Sequence, residues 1–212
     1  MTMKKLQIAL DEFSLEESLA LCEKVRDYID IIEIGTPFIM REGMGAVRAF
    51  RERFPEKEIL ADAKIMDAGK MEAAICFEAG ADYVTVLGVT DMGTIEGCLE
   101  AAKEYGGKIV ADMICVDNTE KRVAQLEAAG ITDIAVHTGV DMQAAGRTPL
   151  DDLKQIKAWA KQSVISVAGG INGSTVDIYM EAGADILIVG GGISRAEDPE
   201  TAARNISAKV HR

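Results

Sequence analysis

The chain has 212 residues, 48% of them apolar, which is enough for one sizeable core and argues for a single domain. Its formal charge of -12 argues against nucleic acid or an anionic membrane as partner, since neither would find a basic patch to bind. No apolar stretch approaches the roughly 20 residues of a membrane span, and Met1-Thr2-Met3-Lys4-Lys5-Leu6 leads into an alternating strand rather than a signal peptide's apolar core. A cytoplasmic protein is expected.

In chain order, short β-branched runs alternate with amphipathic stretches. Strands are expected near 6–10, 29–34, 59–62, 83–87, 109–113, 134–137, 164–167 and 186–189. The 3.6-residue periodicity predicts helices near 15–27, 45–54, 69–79, 94–104, 119–129, 150–161, 174–181 and 199–210, one after each strand. Ser14 with Glu17, and Asn118, supply start signals, while Ala79-Gly80, Ala129-Gly130 and Ala182-Gly183 suit left-handed caps at helix ends. Cys22, Cys76, Cys98 and Cys115 are widely spaced with no Cys-x-x-Cys pair, so they read as reduced core thiols rather than a zinc site or a disulfide framework.

The phrases Glu78-Ala79-Gly80-Ala81-Asp82, Ala129-Gly130-Ile131-Thr132-Asp133 and Glu181-Ala182-Gly183-Ala184-Asp185 each stand just before a strand, so one βα unit recurs with a fixed way of turning back. Eight units of about 26 residues favour a (β/α)8 TIM barrel over an open doubly wound sheet. The first strand ends in Asp11-Glu12-Phe13, so the glycine fingerprint of a dinucleotide fold is missing.

In such a barrel the carboxyl ends of the strands meet on one face. Those ends carry Asp11, Glu33, Asp62 with Lys64 and Asp67, Asp112, and His137 with Asp141. Each residue alone has a bland reading, an Asp at a strand end being often a helix cap, and His211 reads as a solvated terminal residue. Glu33 is the sharper case, because Ile31-Ile32-Glu33-Ile34 buries a carboxylate in an apolar strand, where it needs a cation. A buried Glu-Lys pair would satisfy it. The alternative is a hard divalent ion on Glu33 and Asp62 with water and substrate oxygens, for which magnesium is suited and zinc is not.

Strands seven and eight end in glycine instead, at Ala168-Gly169-Gly170-Ile171 and Val189-Gly190-Gly191-Gly192-Ile193. Tight turns would account for either alone. Both together, where barrels often hold phosphate on backbone N–H groups, point to a phosphorylated substrate.

Asp62-x-Lys64-x-x-Asp67 resembles the signature of the orotidine monophosphate decarboxylase superfamily. Leu6-Gln7-Ile8-Ala9-Leu10-Asp11, Asp30-Ile31-Ile32-Glu33-Ile34-Gly35-Thr36 and Leu60-Ala61-Asp62-Ala63-Lys64 are similar to its sugar-phosphate branch, which holds 3-hexulose-6-phosphate synthases and 3-keto-L-gulonate-6-phosphate decarboxylases. The likeness runs from Leu6 to about Ala203. The decarboxylases have an arginine three residues after the strand-six histidine. Here that residue is Val140, which can neither support a carboxylate nor handle a proton. They also tend to have an arginine in the strand-eight loop, where this chain reads Gly191-Gly192, with Arg195 a candidate helper for phosphate.

The resemblance implies magnesium-dependent condensation of formaldehyde with D-ribulose 5-phosphate to D-arabino-hex-3-ulose 6-phosphate, and the reverse cleavage. It implies His137 as the base at C1, and Lys64, between Asp62 and Asp67, as the cation facing a 1,2-enediolate, with Asp11 completing the polar set. It also implies a homodimer in which Asp67 serves the neighbouring subunit's site. Thr36, Thr85, Asp112, Asp141 and Gln143 are further candidates for substrate contact. The decarboxylase reaction and a non-catalytic phosphosugar-binding barrel are the alternatives.

Overall fold

Eight parallel strands close into a barrel in sequence order, β1 pairing β2 and so on around to β8, which pairs β1. They are β1 (Lys5–Leu10), β2 (Ile31–Ile34), β3 (Glu58–Ile65), β4 (Tyr83–Leu87), β5 (Lys108–Asp112), β6 (Asp133–His137), β7 (Val164–Ala168) and β8 (Ile186–Val189). The structure is a computed structural model that describes residues 4–212. The expected (β/α)8 barrel is the observed fold, and the strand positions follow the expected runs closely.

The strands are β-branched because both faces are buried. One set of side chains packs under the helices and the other fills the barrel, so β2 is buried at all four of its residues. The outer core includes Phe38, Phe50 and Phe54, none of them exposed, with Phe50 edge-on to Phe38 and stacked on Phe54. Truncating Phe50 to alanine there would cost about 3 to 5 kcal/mol. A smaller cluster of Ile31, Leu60, Tyr83, Val110, Ala135, Ile186 and Ile188 lies inside.

Eight outer helices match the expected ones within a few residues: α1 (Leu15–Val25), α3 (Met44–Arg53), α4 (Gly69–Glu78), α5 (Met92–Tyr105), α6 (Thr119–Ala129), α8 (Leu150–Trp159), α9 (Val176–Glu181) and α11 (Pro199–Val210). The Ser14 and Glu17 capping box is present on α1, and Asn118 caps α6 by accepting from the Lys121 amide. Gly80, Gly130 and Gly183 all take positive φ, 102°, 102° and 93°, as the turn back toward the next strand demands. Three short helices break the expectation of one helix per strand: α2 (Thr36–Glu42), α7 (Val140–Ala144) and α10 (Gly191–Ser194). At four to seven residues they are too short to show a periodicity in sequence, and all three lie in loops on the carboxyl face.

On the opposite face the recurring aspartates act as stitches. Asp82 Oδ2 accepts from the Ile59 amide at 2.7 Å and pairs with Arg51, and Asp185 Oδ2 accepts from the Ile165 amide at 2.8 Å and pairs with Lys157 Nζ at 3.0 Å. Asp30 Oδ2 takes the Leu6 amide at 2.7 Å and His211 Nε2 at 2.9 Å. His211 is therefore no mere solvated terminus, because it ties the end of α11 to the barrel floor, with Ser207 Oγ 3.1 Å from its Nδ1. Cys22, Cys76 and Cys98 are buried free thiols as expected, whereas Cys115 is exposed on the loop after β5 and so is not a core thiol. Among the described residues no helix is long and apolar enough to cross a membrane.

Candidate active site

β3 is the irregular strand, and it carries the most charge. Its pairing with β4 advances from Ala61↔Val84 to Ile65↔Val86, so four residues of β3 answer two of β4. Lys64 sits in this bulge at φ +47°, a left-handed conformation costing a non-glycine residue about 1 to 2 kcal/mol. The Lys64 amide, displaced from the ladder, donates to Thr85 Oγ1 at 2.9 Å. Backbone strain of this kind persists where neighbours over-determine it.

Those neighbours form one connected network. Lys64 Nζ lies 2.6 Å from Asp62 Oδ2 and 3.3 Å from Asp112 Oδ2, and Asp112 Oδ2 in turn lies 2.9 Å from His137 Nδ1. Asp62 is held further by Thr36 Oγ1, which donates to Oδ2 at 2.8 Å, and by Thr85 Oγ1, which donates to Oδ1 at 2.8 Å. Lys64 thus bridges Asp62 and Asp112. Within the chain Asp67 is exposed and its Oδ1 accepts from the amide of Ala68 at 2.7 Å, away from the network, so its expected place beside Lys64 is not met by its own chain. Asp67 points off the strand because β3 ends at Ile65 and the chain turns there toward α4.

Electrostatics divide the carboxylates. Burial and the nearby charge of Asp62 push Glu33 up to about 8, and the hydrogen bond from Gln7 Nε2 at 2.6 Å only partly offsets this. No salt bridge reaches Glu33 among the described residues, so the buried Glu-Lys alternative is not what forms: the lysine is committed to Asp62 and Asp112. Burial would raise Asp112 as well, but the hydrogen bond and charge of His137, with Lys64 beside it, hold it below the usual range. Asp11, at the rim, is raised by burial and by Asp62. Burial opposes the ammonium of Lys64, yet Asp62 and Asp112 more than compensate and keep it cationic.

These groups line a cavity of about 1010 Å³ that opens between the strand ends. Asp11, Glu33, Asp62, Lys64, Asp112, His137 and Asp141 all face it, and Gly169, Gly170, Gly190 and Gly191 form its far wall. Gly169 and Gly170 have φ of 126° and 68°, which bends the loop after β7 so that its backbone borders the cavity. Gly191 and Gly192 begin α10, and their amides have no acceptor within the helix. Arg195 borders the same wall but is exposed and paired with Glu12, its Nε donating to Glu12 Oε2 at 2.9 Å.

Glu33 and Asp62 are the two carboxylates available to a hard cation. Among the described residues no third His, Cys, Asp or Glu joins them in a metal-binding cluster. Two carboxylates with room for water and substrate oxygens suit magnesium, and a buried carboxylate lacking an ion partner is what such an ion relieves.

From sequence, Asp112, Thr36 and Thr85 are only further candidates, and Gln7 goes unmarked. The signal shared by the strand residues is parity: Gln7, Glu33, Asp62, Thr85, Asp112 and His137 all occupy inward positions, as the cross-strand register makes visible, whereas Thr36 lies at the start of α2 and carries no such signal.

Residues 4–206 match the Orotidine 5'-phosphate decarboxylase / HUMPS family. A 3-hexulose-6-phosphate synthase from Staphylococcus epidermidis is 43% identical over 206 residues, covering 97% of this chain and 98% of the relative. The crystal structure of 3-hexulose-6-phosphate synthase from Salmonella typhimurium superposes with a TM-score of 0.96 at 54% identity, covering 97% of this chain and 98% of that one. KGPDC from Streptococcus mutans, solved in complex with a phosphosugar ligand, superposes with a TM-score of 0.91 at 28% identity over 98% of this chain and 97% of that one. The chain therefore belongs to the Orotidine 5'-phosphate decarboxylase / HUMPS family, as a lyase-type enzyme similar to 3-hexulose-6-phosphate synthases.

Proposed function

We propose that the chain condenses formaldehyde with D-ribulose 5-phosphate to give D-arabino-hex-3-ulose 6-phosphate, and runs the reverse cleavage. The observation that carries this reading is the single carboxylate of Asp112 joined to both His137 and Lys64, which sets a base and a cation side by side on the cavity wall. Asp112 accepts from His137 Nδ1–H, which leaves Nε2 as the basic nitrogen toward substrate.

His137 Nε2 takes the proton from C1 of the pentulose phosphate, and the electron pair spreads over the C1–C2 enediolate. C1 then bonds to the carbonyl carbon of formaldehyde, whose π bond opens so that its oxygen gains the negative charge and takes up the proton carried by His137. Lys64, kept cationic by Asp62 and Asp112, stabilises the enediolate and the new alkoxide in turn. Glu33 and Asp62 would hold a magnesium ion, which supplies Lewis-acid stabilisation of the developing oxyanion when bound. The phosphate lies against the amides of Gly169, Gly170, Gly190 and Gly191, with Arg195 free to join once it leaves Glu12. Asp11 orients hydroxyls at the rim. Val140, exposed at the start of α7 on the cavity wall, offers no charge to a substrate carboxylate, which favours condensation over decarboxylation.

The reading includes a cytoplasmic homodimer with shared sites. Met40 on α2, Met66 and Val89 in the loops after β3 and β4, and Met71 and Ile75 on α4 are all exposed, and Asp67, next to Met66 in the chain, is exposed too. Light scattering after gel filtration tests the dimer.

The decisive assay follows formaldehyde consumption with ribulose 5-phosphate, with and without magnesium, beside carbon dioxide release from 3-keto-L-gulonate 6-phosphate. Magnesium-dependent formaldehyde consumption is expected to dominate. Dominant carbon dioxide release would overturn the assignment.

A further inference from the structure

We propose that Gln7 is the positioning residue for Glu33, fixing that carboxylate for a divalent cation while leaving its charge for the ion. This deepens the magnesium reading above and rests on it.

Gln7 is the third residue of β1, 1% exposed, and its register partners are Ile31 on β2 and Ile188 on β8. Packing gives no reason for an amide among isoleucines, and leaving one unpaired there would cost about 1 to 3 kcal/mol. Its Nε2 donates to Glu33 Oε2 at 2.6 Å, between two buried side chains. As the ligand of a cation the carboxylate is ionised and only accepts, so the amide turns its nitrogen toward Glu33. That bond is the sole protein hydrogen bond to the Glu33 side chain among the described residues. It anchors Oε2 and leaves Oε1 without a protein donor among the described residues, and both side chains line the cavity.

The chemistry of the donor matters as much as its place. A lysine at position 7 would anchor Glu33 equally well but would also neutralise it and remove the reason for a cation to bind. A neutral amide orients without neutralising. Lys64, the nearby cation, is already committed to Asp62 at 2.6 Å and Asp112 at 3.3 Å. Gln7 therefore does for Glu33 what Thr36 and Thr85 do for Asp62, donating from neutral groups to a carboxylate that must stay available.

The test is Mn²⁺ titration of the substrate-free, full-length protein by electron paramagnetic resonance, with thermal unfolding recorded for each variant. Gln7→Met, which keeps the shape and removes the donor, is expected to weaken Mn²⁺ binding about tenfold or more. Gln7→Lys is expected to abolish it. In turnover, the magnesium concentration for half-maximal rate should rise by a larger factor than kcat falls. Wild-type Mn²⁺ affinity in folded Gln7→Met, with only the unfolding midpoint lowered, would make Gln7 a packing residue and overturn the proposal. Should Gln7→Met fail to fold, wild-type Mn²⁺ affinity in Gln7→Lys overturns it equally. Glu33→Gln separates the two readings: if it binds Mn²⁺ like wild type, the metal assignment itself falls. If it loses Mn²⁺ while Gln7→Met does not, only the role of Gln7 falls.

Discussion

The two ends of the barrel use carboxylates in opposite ways. On the amino face three aspartates each have their own backbone amide and their own basic partner: Asp82 has Ile59 and Arg51, Asp185 has Ile165 and Lys157, and Asp30 has Leu6 and His211. Among the described residues Asp133, buried at the start of β6, accepts only from the Thr132 hydroxyl at 2.7 Å. The contacts of Asp82, Asp185 and Asp30 tie neighbouring strands together at the lower face. On the carboxyl face the buried Asp62 and Asp112 share one lysine, and among the described residues the buried Glu33 has no ion partner. That deficit is the ground for the proposed cation at Glu33. The same residue type stabilises the fold where it is fully partnered and serves chemistry where it is not.

The comparison predicts that mutations at the two ends separate activity from stability. The largest effect should come from Lys64→Met, which leaves Asp62 and Asp112 as uncompensated buried charges. Denaturant unfolding should show a loss of about 3 to 5 kcal/mol, and condensation activity should vanish. His137→Ala comes next. It should slow exchange of the C1 proton of ribulose 5-phosphate with solvent by about 10² to 10⁴, measured by NMR, with phosphate binding largely intact. Unchanged exchange would move the base elsewhere, with Lys64 the next candidate.

On the lower face, Asp185→Ala should cost about 1 to 3 kcal/mol, since it strips the Ile165 amide and Lys157 of their acceptor. It should leave kcat within about twofold, because nothing in the site touches it; a large fall in kcat would break the division between faces. The smallest effect concerns acid stability. Asp112 titrates below its ordinary value of 3.8, so its charge stabilises the fold above about pH 3.8, and that contribution is lost as pH falls through the lower folded value. Asp112→Asn should therefore flatten the lowest part of a stability-against-pH curve, read from urea midpoints between about pH 5 and 2.

Much of this was legible from sequence because parallel barrels write their periodicity openly. Strands buried on both faces read as β-branched runs, and the repeated Ala-Gly turns supplied the count and order of units. Asp62, Lys64 and His137 announced themselves as charge at strand ends. The partners of Lys64 were not legible, since whether Asp67 or Asp112 sits beside it depends on a bulge in β3 and on a strand two places away around the barrel. The role of the aspartates before β2, β4 and β8 was equally hidden, because their contacts lie 20 to 24 residues away on a neighbouring strand.

The barrel, the carboxyl-face location of the charged residues and the glycine loops were all specified along the chain, since they follow from local propensity and from a period that each strand carries alone. Which charges are paired was settled only in three dimensions. Closure of the sheet brings Lys64 to Asp112 and Asp112 to His137, gives Gln7 to Glu33, and turns Asp67 away. Those pairings are distances between strands, and a hydrogen bond is gained or lost within a few tenths of an ångström, a scale that no linear pattern of residues encodes.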